Sequence, residues 1–164
     1  MKKMLALKAL IGSFALLFFS FTSDHFASAG KEWNLNASTI NGSPVVFTQV
    51  VHLEGDNEIP AVPTEAKGIA ILRMTKDHKL YSRIMVHKLD PATDGELLFA
   101  HIHRGSVTEN GGVIIFLAHD IDDFGEHMVQ TLSEDLYNAV LNDPLYVNAH
   151  STVYPRGIVR GQIR

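Results

Sequence analysis

Apolar residues in this 164-residue chain fall mostly in short runs, which clusters of glycine, proline and small polar residues separate. Short runs rich in β-branched side chains and bounded by such turns are typical of β-strands. The pattern predicts strands at residues 45–53, 68–74, 80–89, 97–103, 113–118, 145–150 and 157–163. Residues 113–118 are all apolar, which predicts a strand that is buried on both faces.

One segment has the spacing of a helix instead. Leu136, Ala139 and Val140 recur at intervals of three and four residues, the period of an amphipathic helix. Ser133 can cap its start, and Pro144 ends it. Many closely spaced strands with one short helix predict an all-β protein, specifically an antiparallel β-sandwich of Greek-key type.

The first 29 residues have the three parts of a secretory signal peptide. A start with three lysines precedes an apolar core at residues 9–21, and small residues at 27–29 predict cleavage before Gly30. The core is too short for a transmembrane helix, which needs about 20 apolar residues. We therefore expect a secreted or periplasmic protein that has no membrane anchor after cleavage.

Cleavage would leave a lead-in segment at residues 30–44 and one domain at residues 45–164. This mature chain carries 11 basic and 17 acidic residues, a net charge of −6, which argues against a nucleic-acid partner. The chain contains no cysteine, which excludes disulfides, thiolate metal sites and cysteine nucleophiles. Its stability must come from its hydrophobic core or from a bound metal.

Eight of the nine histidines follow residue 29, and two of them form the triplet His101-Ile102-His103 at the end of a predicted strand. Residues two apart on a strand point to the same side, so the two imidazoles lie about 6–7 Å apart and can bind one metal ion. The triplet alone is weak evidence, because a chain rich in histidine contains such triplets by chance. Two surface histidines at a strand end are the alternative.

A third imidazole is available from His150, which ends a later predicted strand. It reaches the same site if its strand lies beside or across from residues 97–103. Three neutral imidazoles suit copper or zinc. A buried histidine that donates to a backbone carbonyl is an equally consistent interpretation of His150. His119, which acidic residues follow, is either a fourth ligand or part of a solvated loop.

Five motifs in fixed order resemble a known family. They are EGDNEIP at residues 54–60, GIA at 68–70, AHIHRG at 100–105, YVNAH at 146–150 and PRGIVRGQI at 155–163. Together they resemble the CHRD domain, which was named for chordin and is widespread in secreted bacterial proteins, and the resemblance covers residues 45–164. This domain is in turn distantly similar to copper/zinc superoxide dismutase, a Greek-key β-sandwich.

The resemblance implies a copper site, because His101, His103 and His150 fit three copper-binding positions of the dismutase in order and local context. The zinc loop, the bridging histidine and the disulfide of that enzyme have no counterpart here, which makes a dismutase-like redox enzyme the least favoured hypothesis. The leading hypothesis is an exported protein that binds one copper ion for copper handling in the cell envelope. The alternative is a metal-free module that binds a protein or glycan partner. We also expect Glu58 and Arg160 to form a buried or semi-buried ion pair that fixes the end of the sandwich.

Overall fold

In the part of the chain that the structure describes, the short apolar runs form nine strands, and one α-helix lies between the seventh and the eighth. A computed structural model describes residues 34–164, so the predicted signal peptide lies outside the described residues and stays a prediction. The elements, in chain order, are β1 (Thr39–Ile40), β2 (Ser43–Glu54), β3 (Lys67–Thr75), β4 (Lys79–His87), β5 (Leu97–Arg104), β6 (Val113–Ala118), β7 (Met128–Thr131), α1 (Glu134–Asn142), β8 (Leu145–Ser151) and β9 (Val159–Gln162).

The strands build one antiparallel sheet that is nearly closed. Its order is β6-β5-β8-β9-β2-β3-β4-β7, and β1 pairs with the start of β2. The two ends of this order approach each other, since the Gln130 side chain of β7 donates to the Phe116 carbonyl of β6 over 2.9 Å. The all-β class with one short helix is confirmed. The finer assignment, a Greek-key sandwich, stays a prediction.

Side-chain alternation separates the hydrophobic core from the opposite face of β5 and β8. Ala100 and Ile102 of β5 are fully buried in the core, and their register partners on β8 are Ala149 and Val147. Residues between them in sequence point the other way, because successive side chains of a strand alternate. The core also contains Leu53, Leu72, Met74, Leu80, Ile84, Leu117, Leu145 and Ile158.

Helix α1 forms as its sequence predicts. The Ser133 hydroxyl accepts a hydrogen bond from the Leu136 amide over 3.3 Å, which satisfies one of the unpaired donors of the first turn. Ala139 and Val140 are buried, and Val140 belongs to the hydrophobic core. Within residues 34–164, no helix has the length and hydropathy that crossing a membrane requires.

The predicted strands all form, with ends that differ by one or two residues in most cases. Strands β1 and β7 are additions, and each is short. The prediction that residues 113–118 are buried on both faces is wrong, because Val113 is 45% exposed and Phe116 is 43% exposed. Phe116 lies opposite His101 and Val113 opposite His103 of β5, so both side chains lie on the face that points away from the core, and that face stays partly uncovered despite the apolar composition of β6.

Candidate metal site

The three predicted histidines meet on the face of β5 and β8 that points away from the core. His101 and His103 alternate with the core residues of β5, and His150 comes from the neighbouring strand β8. Their ring centroids lie 5.0 Å (His101 to His150), 5.5 Å (His101 to His103) and 6.2 Å (His103 to His150) apart. One nitrogen of each ring lies within 4.8 Å of the other two, and all three residues are buried.

Two backbone carbonyls fix which nitrogens face the centre of this cluster. His103 Nδ1 lies 3.0 Å from the Gly111 carbonyl, and His150 Nδ1 lies 3.1 Å from the Pro155 carbonyl. A carbonyl oxygen only accepts, so each Nδ1 carries the proton of its neutral ring and each Nε2 is unprotonated. The Nε2 of His150 lies within hydrogen-bond distance of His101 Nδ1. Metal-bound histidines are commonly held in this way through the nitrogen that does not bind the metal.

His103 Nε2 is the atom that fits a metal ion best. It is buried and makes no hydrogen bond. A buried acceptor without a partner costs roughly 1–3 kcal/mol, and a bound cation would remove that cost.

The spacing of the nitrogens suits a small metal ion. His101 Nδ1 and His150 Nε2 lie 3.2 Å apart. Two nitrogens that bind one ion at about 2.0 Å are separated by about 3.3 Å in tetrahedral geometry, and by about 4.0 Å at most. The longest separation in the cluster, within 4.8 Å, therefore requires the rings to close by a small rotation when an ion binds.

Burial keeps the three rings neutral at pH 7, the form in which histidine binds metals. It lowers the pKa of His101 to about 4, with smaller contributions from the other histidines. It lowers the pKa of His150 to about 4 as well, against the opposing effect of the Pro155 carbonyl. The pKa of His103 is also lowered by burial, which the Gly111 carbonyl and the nearby Asn148 side chain oppose.

The family follows from a comparison with known proteins. The family description of the CHRD domain matches residues 50–163, which is more than half of the chain. The chain belongs to the CHRD domain family. No curated protein and no solved structure matches it. The matched range, residues 50–163, includes all three clustered histidines.

Aromatic rings surround the three clustered histidines of the CHRD domain. Phe99 contacts His101 and His150 at centroid distances of 5.0 and 4.7 Å, and it lies on their face of β5 as the alternation predicts. Tyr146 stacks on His103, with 4.8 Å between the ring centroids and 9° between the ring planes. These rings limit the access of water to the site.

The structure does not bring His119 to the other histidines. Phe116 lies between them, with its ring 4.4 Å from His101 on one side and 4.8 Å from His119 on the other. His119 is exposed, and its backbone amide donates to Asp123 in the acidic loop. The solvated-loop interpretation of His119 agrees with this placement.

The expected ion pair between Glu58 and Arg160 does not form, although both residues of the CHRD domain are buried. Arg160 instead donates to the Asn110 side chain and to the carbonyls of Ser106 and Glu109, over 2.7–2.9 Å. Burial raises the pKa of Glu58 to about 7, while Arg160 and the neighbouring Asn148 amide act in the opposite direction. The prediction was wrong because three acceptors in one loop already satisfy the guanidinium group.

Sequence reasoning missed Asn148, whose side chain lies among the histidines. Its Oδ1 is 3.0 Å from His150 Nε2, and the residue is only 2% exposed. Its position two residues before His150 on a predicted strand was the available signal, since it places both side chains on the same face.

Proposed function

We propose that this CHRD domain protein is an exported protein that binds one copper ion through His101, His103 and His150 and serves copper handling in the cell envelope. The observation that carries the proposal is the buried, unpartnered lone pair of His103 Nε2, which faces the nitrogens of two other neutral histidines. Export is supported by the signal-peptide pattern of residues 1–29.

Copper is favoured over zinc by the donor set. Imidazole nitrogen suits both metals, but sites of nitrogen and oxygen donors generally bind Cu²⁺ more tightly than Zn²⁺. The chain has no cysteine, so no thiolate can add to the three nitrogens. Zinc remains the competing ion that the experiment must include.

Titration calorimetry of the purified, metal-stripped protein with Cu(II), Cu(I) and Zn(II) tests the proposal. We expect one equivalent of copper to bind, and we expect the double variant His101→Ala/His103→Ala to lose this binding. The matched control is His52→Ala/His87→Ala, which removes two exposed histidines from the ends of β2 and β4. It should bind copper as the wild type does.

Unchanged copper binding in the His101→Ala/His103→Ala variant would contradict the proposal. If the wild type binds none of the three ions, the histidines are structural, and the search turns to protein or glycan partners. Should copper bind, superoxide consumption by the loaded protein, compared with the double variant, tests the dismutase-like alternative.

A further inference from the structure

Asn148 stands at the centre of the polar face that carries the histidines. In the register of the sheet it lies opposite His101 on β5 and opposite Arg160 on β9. His150 follows it by two residues on β8. Strand β8 lies between β5 and β9 in the sheet, so the Asn148 side chain enters the histidine cluster from the middle one of these three strands.

The amide oxygen of Asn148 faces a nitrogen that carries no proton. Oδ1 lies 3.0 Å from His150 Nε2, while the proton of that ring is on Nδ1 and is donated to Pro155. The same side chain also approaches His103, whose Nε2 is unprotonated for the same reason. Oxygen and nitrogen lone pairs that converge without a proton between them repel each other, and a cation placed between them turns that repulsion into binding.

Asn148 cannot freely exchange the positions of its amide oxygen and nitrogen to relieve this contact. Its nitrogen lies beside the Glu58 carboxyl, with which it interacts. Both groups adjoin Gly157, where an added Cβ would lie 2.7 Å from Asn148 Nδ2 and 2.4 Å from Glu58 Oε1. With the amide nitrogen on this side, Asn148 can donate to the carboxylate. The reversed amide would lose this hydrogen bond and set its oxygen against the ionised form of the Glu58 carboxyl.

We propose that Asn148 Oδ1 is the fourth ligand of the metal site, which completes a set of three imidazole nitrogens and one amide oxygen. This inference rests on the proposed function, because it names a further donor to the same ion. An N–O separation of 3.0 Å is close to the about 3.3 Å that two ligands of a tetrahedral ion show.

A fourth protein ligand has two consequences for the chemistry of the site. An oxygen donor favours the divalent ions Cu(II) and Zn(II) over Cu(I), which prefers soft ligands. Four protein ligands also make a closed site, of the kind that holds a metal ion rather than presenting it to a substrate. Holding copper is what a handling protein requires, whereas dismutation needs an open position.

Asn148→Ala tests the assignment. We expect it to weaken Cu(II) binding by about tenfold or more, to change the copper hyperfine splitting in the electron paramagnetic resonance spectrum, and to leave Cu(I) affinity within about threefold of the wild type. Asn138→Ala is the control, since it removes an amide side chain that contacts Glu134 on helix α1 and none of the three histidines. It should leave the spectrum unchanged.

Asn148→Asp keeps an oxygen at the same place and provides the second readout should Asn148→Ala fail to fold. A carboxylate that coordinates Cu(II) should retain the affinity and shift the hyperfine splitting, and an unshifted spectrum overturns the assignment. Cu(II) affinity within twofold of the wild type and an unchanged spectrum in a folded Asn148→Ala variant also overturn it. In that case, loss of binding in His101→Ala/His103→Ala would still support the proposed function, whereas a wild type that binds no metal overturns both.

Discussion

The backbone at Gly157 lies against the side chains of Glu58 and Asn148, next to the metal site. The variant Gly157→Ala measures how closely these groups are packed. The residue has a φ of +133°, which L side chains rarely adopt. A Cβ at this position would meet Glu58 Oε1 at 2.4 Å and Asn148 Nδ2 at 2.7 Å, far inside van der Waals distance. Both neighbours are buried.

Two costs add in Gly157→Ala. A side chain in the left-handed region costs about 1–2 kcal/mol, and forcing a methyl group into a packed region costs about 1–3 kcal/mol more. We therefore expect the free energy of unfolding to fall by about 2–5 kcal/mol, which is a large share of the stability of an ordinary domain.

Two other glycines separate the two costs. Gly125 has a φ of +89° and nothing within 4 Å of a Cβ, so Gly125→Ala should show the backbone cost alone. Gly112 has neither a positive φ nor a close neighbour, so Gly112→Ala should be neutral or stabilising by up to about 1 kcal/mol.

Urea unfolding of the metal-free proteins, followed by circular dichroism, gives the comparison. With a denaturant slope of about 1–3 kcal/mol per molar urea, the expected loss moves the midpoint by about 1 M or more. If Gly157→Ala is as stable as Gly125→Ala, Glu58 and Asn148 yield to the methyl group without cost. The argument that a methyl group at Gly157 must displace these two buried side chains at a cost would then be refuted.

Three further predictions concern buried charge and helix capping. Burial raises the pKa of Glu58 to about 7, so the folded protein holds this proton more tightly than the unfolded chain, and the associated stability is lost as pH rises from about 4.5 to 7. Glu58→Gln should remove about 3 kcal/mol of this decline in stability, which urea unfolding at pH 5 and pH 8 would measure. An unchanged decline would show that Glu58 is not the group that causes it. The pKa values of His101 and His150 are lowered to about 4, so the metal-free protein should lose stability as pH falls from about 6.5 to 4. The loss should be visible in the Glu58→Gln background and smaller once both histidines are replaced by glutamine, since His103 keeps its own lowered pKa. Ser133→Ala removes the cap of α1 and should cost about 1 kcal/mol, and a melting temperature equal to that of the wild type would show that the cap contributes nothing.

Local pattern sufficed to predict the strands, because side-chain alternation and turn residues are properties of neighbouring positions. It also predicted that His101 and His103 share one face, which depends only on a spacing of two residues. Whether other parts of the chain cover the outer face of a strand depends on contacts between distant segments. This is why the apolar composition of β6 gave the wrong expectation for Phe116.

The meeting of His150 with the triplet depends on the register between β5 and β8, which the sequence pattern left open. The carbonyls that fix the tautomers come from Gly111 and Pro155, in two loops whose paths no periodicity describes. Asn148 was accessible to sequence reasoning in principle, since it shares the face of His150. An amide carries no distinctive signal for metal binding, however, so only its contact in the folded chain draws attention to it.

Arg160 gains a specific role from this arrangement, although it touches none of the three histidines through a hydrogen bond. It donates to the carbonyls of Ser106 and Glu109 and so fixes the loop that brings the Gly111 carbonyl to His103. Its guanidinium also lies 3.5 Å from the centre of the Tyr146 ring, the same ring that stacks on His103.

Tyr146 contacts the same loop, because its hydroxyl accepts a hydrogen bond from the Gly111 amide over 3.2 Å. One buried cation thus holds the loop, the stacked ring and, through both, the orientation of His103. A guanidinium suits this task better than an ammonium group, since its planar face can stack while its edge donates to several acceptors. The absence of cysteine from the chain is consistent with this design, in which a network of hydrogen bonds to backbone carbonyls orders the loops around the histidines.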